Sequence, residues 1–323
     1  MIGVVVIGRN EGERLARCLA TVIPAKAGTQ FQTGTQFSLV YVDSGSKDGS
    51  VALARGRGAE VVELDAASPF TAARARNAGF AFLTGQRPGL RYVQFLDGDC
   101  ELAAGWLDKA RKFLNENPRI AVVCGRLREK HPERTVYNLL CDIEWDAPQG
   151  AARTCGGIAM MRVDALVAVR GWRSDLVAGE EPELCARLRA AGWRIWRLDA
   201  EMAAHDAAMS CFGQWWRRTL RAGYAFAQNA ALHGAPPERL GVRESRSAWF
   251  WGFALPLTVV VTIPWLGAWA LLLLAAYPLQ VVRLALRGEN WWRALFLVLG
   301  KFPELAGQIR FRLERHPHLI EYK

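Results

Sequence analysis

The feature that most restricts the fold of this chain is a run of 36 residues, 247–282, that contains no formally charged side chain. Such a run is longer than the core helix of a soluble domain and longer than one membrane span of ~20 residues. Pro256, Pro264 and Gly267, which disfavour helix, interrupt it. The pattern therefore predicts two short apolar helices, near 248–263 and 266–282.

Basic residues flank this run on both sides. They are Arg243, Arg246, Arg283 and Arg287. Because cytoplasmic flanks are enriched in Lys and Arg, we expect a hairpin over about 248–282 with both ends at the cytoplasmic face of the inner (plasma) membrane. Each span is near the lower length limit, so a re-entrant or in-plane pair is the alternative. The following segment, Trp291–Leu299, is too short to cross, and an amphipathic tail at 290–323 along the membrane surface is expected.

Composition narrows the class of protein. Apolar residues make up 51% of the 323 residues and charged residues 22%, which excludes a disordered chain. Residues 206–323 hold 14 basic and 7 acidic side chains, and so carry most of the net charge of +10. This surplus lies beside the apolar run, which favours a membrane surface over nucleic acid as partner. The seven cysteines are scattered without a CxxC pair, which indicates reduced thiols in the cytosol.

The first hundred residues alternate short Val/Ile-rich runs with helical patterns. The predicted strands are Ile2–Ile7, Leu39–Asp43, Val61–Leu64, Arg91–Asp97 and Ile120–Cys124. This alternation predicts an α/β fold with an open, mostly parallel, Rossmann-type sheet flanked by helices, which bind ligands at the carboxyl ends of their strands. We expect a domain at 1–225 and a membrane-associated helical region at 226–323. The polar segment 27–37 is interpreted as a loop insertion without an assigned function.

Two carboxylates one residue apart follow the predicted strand that ends at Asp97. In Asp97-Gly98-Asp99, Gly98 permits a tight turn, and both acids can then face one ligand. Hard oxygen ligands at this place suit Mg²⁺ or Mn²⁺ carrying a diphosphate. An Asp-Gly turn without function would give the same three letters.

Other polar residues are expected at the same edge of the sheet. Asp43 could accept a hydrogen bond from a nucleotide base, or form an Asx turn. Glu11 could hold a ribose hydroxyl, or favour the start of a helix. Arg74 and Arg76 could face a phosphate, or form a solvated basic face. The neighbouring residues included with them are Arg9, Asn10 and Ser44.

Three later features complete the candidate site. Glu180 and Glu181 start a helix, where an ionised carboxylate could take a proton from a hydroxyl, or serve only as a cap. His205 could complete a metal site begun by Asp99, or be structural. The segment Gln214–Arg218 is aromatic and basic. It could line the site around the diphosphate and the acceptor, with Arg218 contributing, or it could lie on the membrane surface.

In this order, the motifs resemble those of the family-2 glycosyltransferases of GT-A fold, in particular the membrane-associated bacterial type. The resemblance covers roughly residues 1–225. It is carried by VVVIGRNEG at 4–12, VDSGSKDGS at 42–50, ARARNAGF at 73–80, FLDGDCEL at 95–102 and GEEPELCARLRAAGW at 179–193.

The resemblance implies a transferase that uses a nucleotide-diphosphate sugar, foremost a UDP-sugar. Asp43 would lie near the base, and Asp97, Asp99 and His205 would hold Mg²⁺ or Mn²⁺. Glu181 would be the catalytic base, beside Glu180, although the family usually has Asp there. The reaction implied is inverting transfer to a hydroxyl of a lipid-linked or envelope-glycan acceptor.

Two rival functions remain at this point. A processive polysaccharide synthase is disfavoured, since Gln214–Arg218 matches the QxxRW motif of such enzymes only in part and two short spans make a poor channel. A non-catalytic membrane-anchored scaffold is disfavoured by the intact acidic motifs at 97–99 and 180–181.

Overall fold

The computed structural model describes residues 1–26, 37–176 and 178–314, which divide into two compact units. The first unit comprises Met1–His131, Glu144–Leu176 and Glu180–Ala207, and the second comprises Pro132–Ile143, Val177–Gly179 and Ala208–Lys323. The predicted loop insertion lies outside the described residues, except for Phe37, which begins a strand.

The described part of the first unit contains a nine-stranded sheet. Its strands are β1 (Ile2–Gly8), β2 (Phe37–Asp43), β3 (Glu60–Glu63), β4 (Tyr92–Asp97), β5 (Cys100–Leu102), β6 (Ile120–Glu129), β7 (Gly150–Ala152), β8 (Ala159–Arg162) and β9 (Arg194–His205). They are ordered β3-β2-β1-β4-β8-β6-β9-β5, and β7 pairs with β9.

Helices connect and follow these strands. They are α1 (Glu13–Lys26), α2 (Ser50–Gly56), α3 (Ala72–Gln86), α4 (Trp106–Glu116), α5 (Val136–Trp145), α6 (Val163–Ala168), α7 (Glu180–Ala190), α8 (Phe212–His233), α9 (Val242–Trp249), α10 (Leu255–Leu266), α11 (Ala276–Leu286), α12 (Trp291–Leu299) and α13 (Lys301–Leu313). A π-helical turn, Phe250–Ala254, joins α9 to α10, and a 3₁₀ segment, Gly267–Ala275, joins α10 to α11.

The first four strands in sequence behave as predicted. Strands β1 to β4 pair in parallel, and β1, whose first six residues are buried, lies between β2 and β4. Continuous burial explains the unbroken apolar sequence of β1, because a parallel strand is covered on both faces. Helix α3 packs against this region at Gly79, where a Cβ would overlap Val5 and crowd Val42.

The remaining strands add antiparallel pairs to the sheet. Strand β8 is antiparallel to both β4 and β6, and β9 is parallel to β6 but antiparallel to β5 and β7. The sheet is therefore mixed.

The second unit is helical, and its helices α8 and α13 cross closely. A Cβ on Gly223 would overlap the Glu304 backbone, and one on Gly307 would overlap the Leu220 carbonyl. Tyr224 packs edge-on against Phe311, with ring centroids 5.3 Å apart. Helix α8 thus belongs wholly to this unit.

The described residues of the second unit include one helical run, Val242–Leu286, that is long and apolar enough to cross a membrane. Only 11% of its most apolar window is buried. The Tyr277 hydroxyl donates a hydrogen bond to the Trp251 carbonyl at 2.6 Å, although 26 residues of straight helix would span about 39 Å. The chain therefore reverses direction between these residues, around Gly267, whose φ is 55°.

Candidate active site

Acidic residues end two neighbours of the central strand β1. In the sheet register, Gly8 of β1 lies opposite Asp43 of β2, and Ile7 lies opposite Asp97 of β4. Parallel strands of matched register end at one edge of the sheet, so the loops that follow them adjoin. The first unit thus brings the Asp43 and Asp97 segments to one edge, as the sequence predicted.

Asp99 and His205 form the part of the site that fits a metal ion. Strand pairing places Cys100 opposite His205, and His205 Nε2 lies 3.2 Å from Asp99 Oδ1. Adjacent ligands of an octahedral ion bound at ~2.1 Å are separated by about 3.0 Å. Both side chains are largely buried, and the Trp145 ring stacks on the imidazole at 4.7 Å. These donors suit Mg²⁺ or Mn²⁺, whereas the Cys100 thiol, 3.7 Å from the same oxygen, is a soft ligand.

Gly98 has a different role from the one expected. Its φ lies outside the left-handed region, so a tight turn does not require glycine here. A Cβ at this position would instead lie 3.1 Å from Glu11 Cγ and 3.2 Å from the Ile7 carbonyl oxygen. The glycine thus allows the loop after β4 to pass close to the end of β1 and to Glu11.

A buried arginine joins two candidate acids from distant parts of the chain. Arg76 Nη2 donates to Asp97 Oδ1 at 3.0 Å, and Arg76 Nη1 donates to Glu180 Oε1 at 2.8 Å. Burial lowers the pKa of the guanidinium, but the two carboxylates outweigh it, so the pKa of Arg76 is raised. The guanidinium also lies 4.9 Å from the centre of the Trp172 ring.

The environment of Arg76 excludes the solvated basic face that the sequence left open for it. Its side chain is only 3% exposed. A Cβ on Gly157 would overlap its guanidinium, so the glycine loop before β8 lies directly against it. Arg76 therefore fixes Asp97 and Glu180 relative to one another. The 32% exposure of the Asp97 side chain leaves that carboxylate accessible to a ligand.

Glu181, the expected base, has partners different from those of Glu180. Its Oε1 accepts hydrogen bonds from the Cys155 backbone N–H at 2.5 Å and from the Cys185 thiol at 3.0 Å. Among the residues that the structure describes, none donates to Oε2. Glu181 is 7% exposed. The arrangement holds one oxygen in place and leaves the other able to accept a proton.

Asp43 is buried and supports its own loop. Its Oδ1 accepts from the Tyr41 hydroxyl at 3.0 Å, and its Oδ2 accepts from the N–H groups of Gly45 and Ser46 at 2.9 and 2.8 Å. Burial, and then the Asp43 charge, raise the pKa of Tyr41, so this hydroxyl remains a donor. The Asx-turn interpretation thus applies to Asp43, while its contact with a base stays a prediction. Ser44 closes the same loop by donating its N–H to the Gly8 carbonyl at 3.0 Å.

Asn10 connects two loops at the edge of the sheet. With a φ of 55°, it donates its N–H to Ser46 Oγ and accepts from the Lys47 N–H through Oδ1, at 2.9 and 2.7 Å. These two bonds join the loop after β1 to the loop after β2. Asn10 therefore shapes the edge of the site.

Phe70 was not found by sequence reasoning. The guanidinium carbons of Arg9 and Arg74 lie 5.4 and 5.9 Å from the centre of its ring, and a Cβ on Gly45 would lie 2.9 Å from it. Arg74 also donates to the Asp65 carbonyl at 2.7 Å, which holds the preceding loop. The one available signal was an aromatic residue just before the N-cap of α3, Thr71. Trp145 and Trp172 were missed as well, since no local pattern links them to His205 and Arg76.

Glu11 and Arg218 are the remaining candidate residues. Glu11 pairs with Arg14 at 2.8 Å, next to Gly8 and Gly98. Arg218 lies in α8 of the second unit, near the aromatic contacts among Phe212, Trp215 and Trp216. Its role in donor binding stays a prediction.

A family profile described as "Glycosyl transferase family 2" matches residues 3–166, just over half of the chain. The chain belongs to glycosyl transferase family 2. The match contains the elements that carry Asp43, Arg76, Asp97 and Asp99. It confirms the family and the enzyme class predicted from the motifs.

Solved glycosyltransferases share the fold of this family member. One is the mannosyltransferase PcManGT from Pyrobaculum calidifontis, solved with GDP-Man and Mn²⁺, which is 19% identical in sequence with a TM-score of 0.65. The match covers 98% of this chain and 88% of PcManGT. Another is S. aureus TarS 1–349, solved with UDP-GlcNAc, which is 13% identical with a TM-score of 0.52. That match covers 96% of this chain and 91% of the TarS chain. At these identities the likeness concerns the fold, which confirms the predicted GT-A-like class. No curated protein matches the chain significantly.

Proposed function

We propose that this glycosyltransferase moves a sugar, with inversion, from a nucleotide-diphosphate sugar to a hydroxyl of a lipid-linked or envelope-glycan acceptor at the cytoplasmic face of a membrane. The observation that carries the proposal is the chain of contacts Asp97–Arg76–Glu180, which connects the acidic motif after β4 to the N-terminus of α7, where Glu181 stands.

Asp99 and His205, with Asp97, would hold Mg²⁺ or Mn²⁺. When bound, the ion supplies positive charge to the diphosphate as its bond to the sugar breaks. The spacing of 3.2 Å between Asp99 Oδ1 and His205 Nε2 supports this assignment. A UDP-sugar is the first donor to test. A GDP-sugar is the second, because PcManGT was solved with GDP-Man and TarS with UDP-GlcNAc.

Glu181 would be the general base. The acceptor oxygen forms a bond to the anomeric carbon, the bond from that carbon to the diphosphate oxygen breaks, and the hydroxyl proton passes to Glu181 Oε2. The Cys155 N–H and the Cys185 thiol hold Oε1, which fixes the direction of the carboxylate. Arg76 keeps Glu180 and Asp97 in place beside it.

The second unit supports a membrane location. Its apolar run carries many large exposed side chains, among them Trp265 at 77%, Trp269 at 74% and Leu272 at 64%. Exposed apolar surface of this extent marks an interaction site, and a charge-free run is compatible with lipid. The chain reversal around Gly267 supports a hairpin, and such an anchor would keep the enzyme beside a lipid-linked acceptor.

Donor binding and turnover test the proposal in the full chain, purified in detergent. We expect one UDP- or GDP-sugar to raise the thermal unfolding temperature in the presence of Mn²⁺ or Mg²⁺, and metal-dependent release of the nucleoside diphosphate on incubation. Asp99→Ala should abolish both effects. Asp108→Ala, in the surface pair with Arg111, should keep both. If no donor binds with either metal, the chain is a scaffold on a transferase fold.

A further inference from the structure

A second group of potential metal ligands lies in the first unit, separate from Asp99 and His205. Cys155, Glu181 and Cys185 are 3%, 7% and 0% exposed, and their ligand atoms all lie within 4.8 Å of one another. We propose that this group, here called the thiol cluster, binds a thiophilic divalent cation such as Zn²⁺, and that the bound cation inhibits the enzyme by occupying Glu181. The inhibition rests on the proposed role of Glu181; the binding does not.

The spacing of the thiol cluster fits a tetrahedral thiolate site. Zinc–sulfur bonds of ~2.3 Å at tetrahedral angles place two sulfur ligands about 3.8 Å apart. The Cys155 and Cys185 sulfur atoms are 3.7 Å apart. Glu181 Oε1 lies 3.0 Å from Cys185 Sγ, against about 3.5 Å for a bound carboxylate and thiolate. Small side-chain movements therefore suffice.

The local structure explains why these three residues meet. Glu181 and Cys185 are four residues apart in α7 and share one helix face. Cys155 comes from the loop before β8, and its N–H binds the same Glu181 oxygen. The neighbouring Gly156 and Thr154 are exposed, so the cluster lies under a thin covering of loop that an ion could enter.

The thiol cluster thus offers three ligands, and a bound water would be the fourth ligand of a zinc site.

Binding must displace protons, and this selects the cation. Burial raises the pKa of Cys155, and it raises that of Cys185 to about 11, so both thiols are protonated at neutral pH without a metal. On binding, both sulfur atoms form metal–thiolate bonds and two protons pass to solvent. Soft cations compensate for this loss through strong bonds to sulfur, whereas Mg²⁺ prefers oxygen. Mg²⁺ therefore does not compete for the cluster.

A cation bound in the thiol cluster would block catalysis by coordinating Glu181 Oε1. The Glu181 oxygen that now accepts two hydrogen bonds would become a metal ligand, and the cation's charge would lower the basicity of the whole carboxylate. We thus expect micromolar Zn²⁺ to inhibit transfer at saturating Mg²⁺, and a chelator to reverse the inhibition.

Cadmium binding to the full chain tests the site without using activity. The protein is titrated anaerobically with Cd²⁺ in excess Mg²⁺, and the thiolate-to-cadmium absorption in the ultraviolet is followed. Wild type should bind one equivalent. Cys155→Ser and Cys185→Ser should each weaken Cd²⁺ binding by more than ~100-fold. This is a larger loss than expected for a residue that only supports a metal ligand. Cys100→Ser, beside Asp99, and Cys211→Ser, on the surface, should bind as wild type.

Two results would overturn the inference: absorption that persists in Cys185→Ser, or absorption that disappears in Cys100→Ser. Alkylation of the wild-type protein tests the site without a variant that could misfold. Local opening exposes buried thiols to a reagent over hours, and Cd²⁺ should slow the alkylation of Cys155 and Cys185, as read by peptide mass spectrometry; an unchanged rate counts against the site. Cadmium binding without any transfer activity refutes the proposed function alone. Transfer without cadmium binding refutes this inference alone.

Discussion

At the residue scale, Glu180 and Glu181 differ most clearly in the partners of their carboxylates. They are adjacent and chemically identical, but successive helical residues point about 100° apart. Glu180 pairs with the buried Arg76, whereas Glu181 accepts from Cys155 and Cys185. Their environments differ: Glu180 belongs to an ion-pair network, whereas Glu181, under the proposed function, would take the acceptor's proton at Oε2.

Glutamine substitutions separate these roles. Glu181→Gln should lower kcat by ~10²–10⁴-fold with little change in donor affinity, because an amide cannot take the acceptor's proton. Glu180→Gln is the matched control and should keep most of the rate. Both variants would be measured by transfer kinetics and by donor titration. An inactive Glu180→Gln beside an active Glu181→Gln would reassign the base to Glu180.

At the scale of elements, the crossing of α8 and α13 depends on glycines that let the backbones touch. Gly223→Ala should destabilise the protein by ~1–3 kcal/mol, since the new methyl group would overlap the Glu304 backbone. Gly213→Ala, in the same helix, meets no atom within 4 Å and should be neutral or slightly stabilising. Thermal unfolding of both variants tests the crossing, and equal effects would contradict it.

Helix α13 also carries a buried acid whose ionisation opposes folding. Burial raises the pKa of Glu304 above its ordinary value of 4.5, although Lys301, 2.7 Å away, lowers it. Since the folded pKa is the higher one, the group's contribution to stability is present below pH 4.5 and is lost as the pH rises through the folded pKa.

Glu304→Gln removes this titration. The Tm of the variant relative to wild type should therefore be higher at pH 8 than at pH 4.5, with a smooth change between them. Thermal unfolding at a series of pH values measures this difference. A relative Tm that falls as the pH rises would show that the Lys301 ion pair outweighs the cost of burial.

At the scale of the whole molecule, the two units differ in chemistry. The first buries its apolar strands and gathers acids at one edge of the sheet, while the second exposes a long apolar run. The surplus of positive charge lies in the second half of the sequence, and under the proposed function its basic flanks would suit the anionic face of a membrane.

Replacing the exposed tryptophans on either side of Gly267 tests membrane association. Trp265→Asp with Trp269→Asp should shift the protein from the vesicle pellet to the supernatant, because each carboxylate costs up to ~2.5–3.5 kcal/mol within the bilayer. Val167→Asp, at an exposed apolar position of the first unit, should leave partitioning unchanged. Co-sedimentation with anionic vesicles measures both, and equal partitioning of the two variants would argue against insertion of this run.

The sequence by itself determined the order of the elements, the parallel half of the sheet, the edge at which Asp43 and Asp97 lie, and the apolar run. These depend on hydrophobic periodicity and turn residues, which are local properties of the chain. Only the tertiary structure decided that β8 makes the sheet mixed, that Arg76 is buried between Asp97 and Glu180, and that Cys155 meets Cys185. Those contacts join residues 21 to 104 positions apart. No local pattern encodes such partners, because packing, not spacing, selects them.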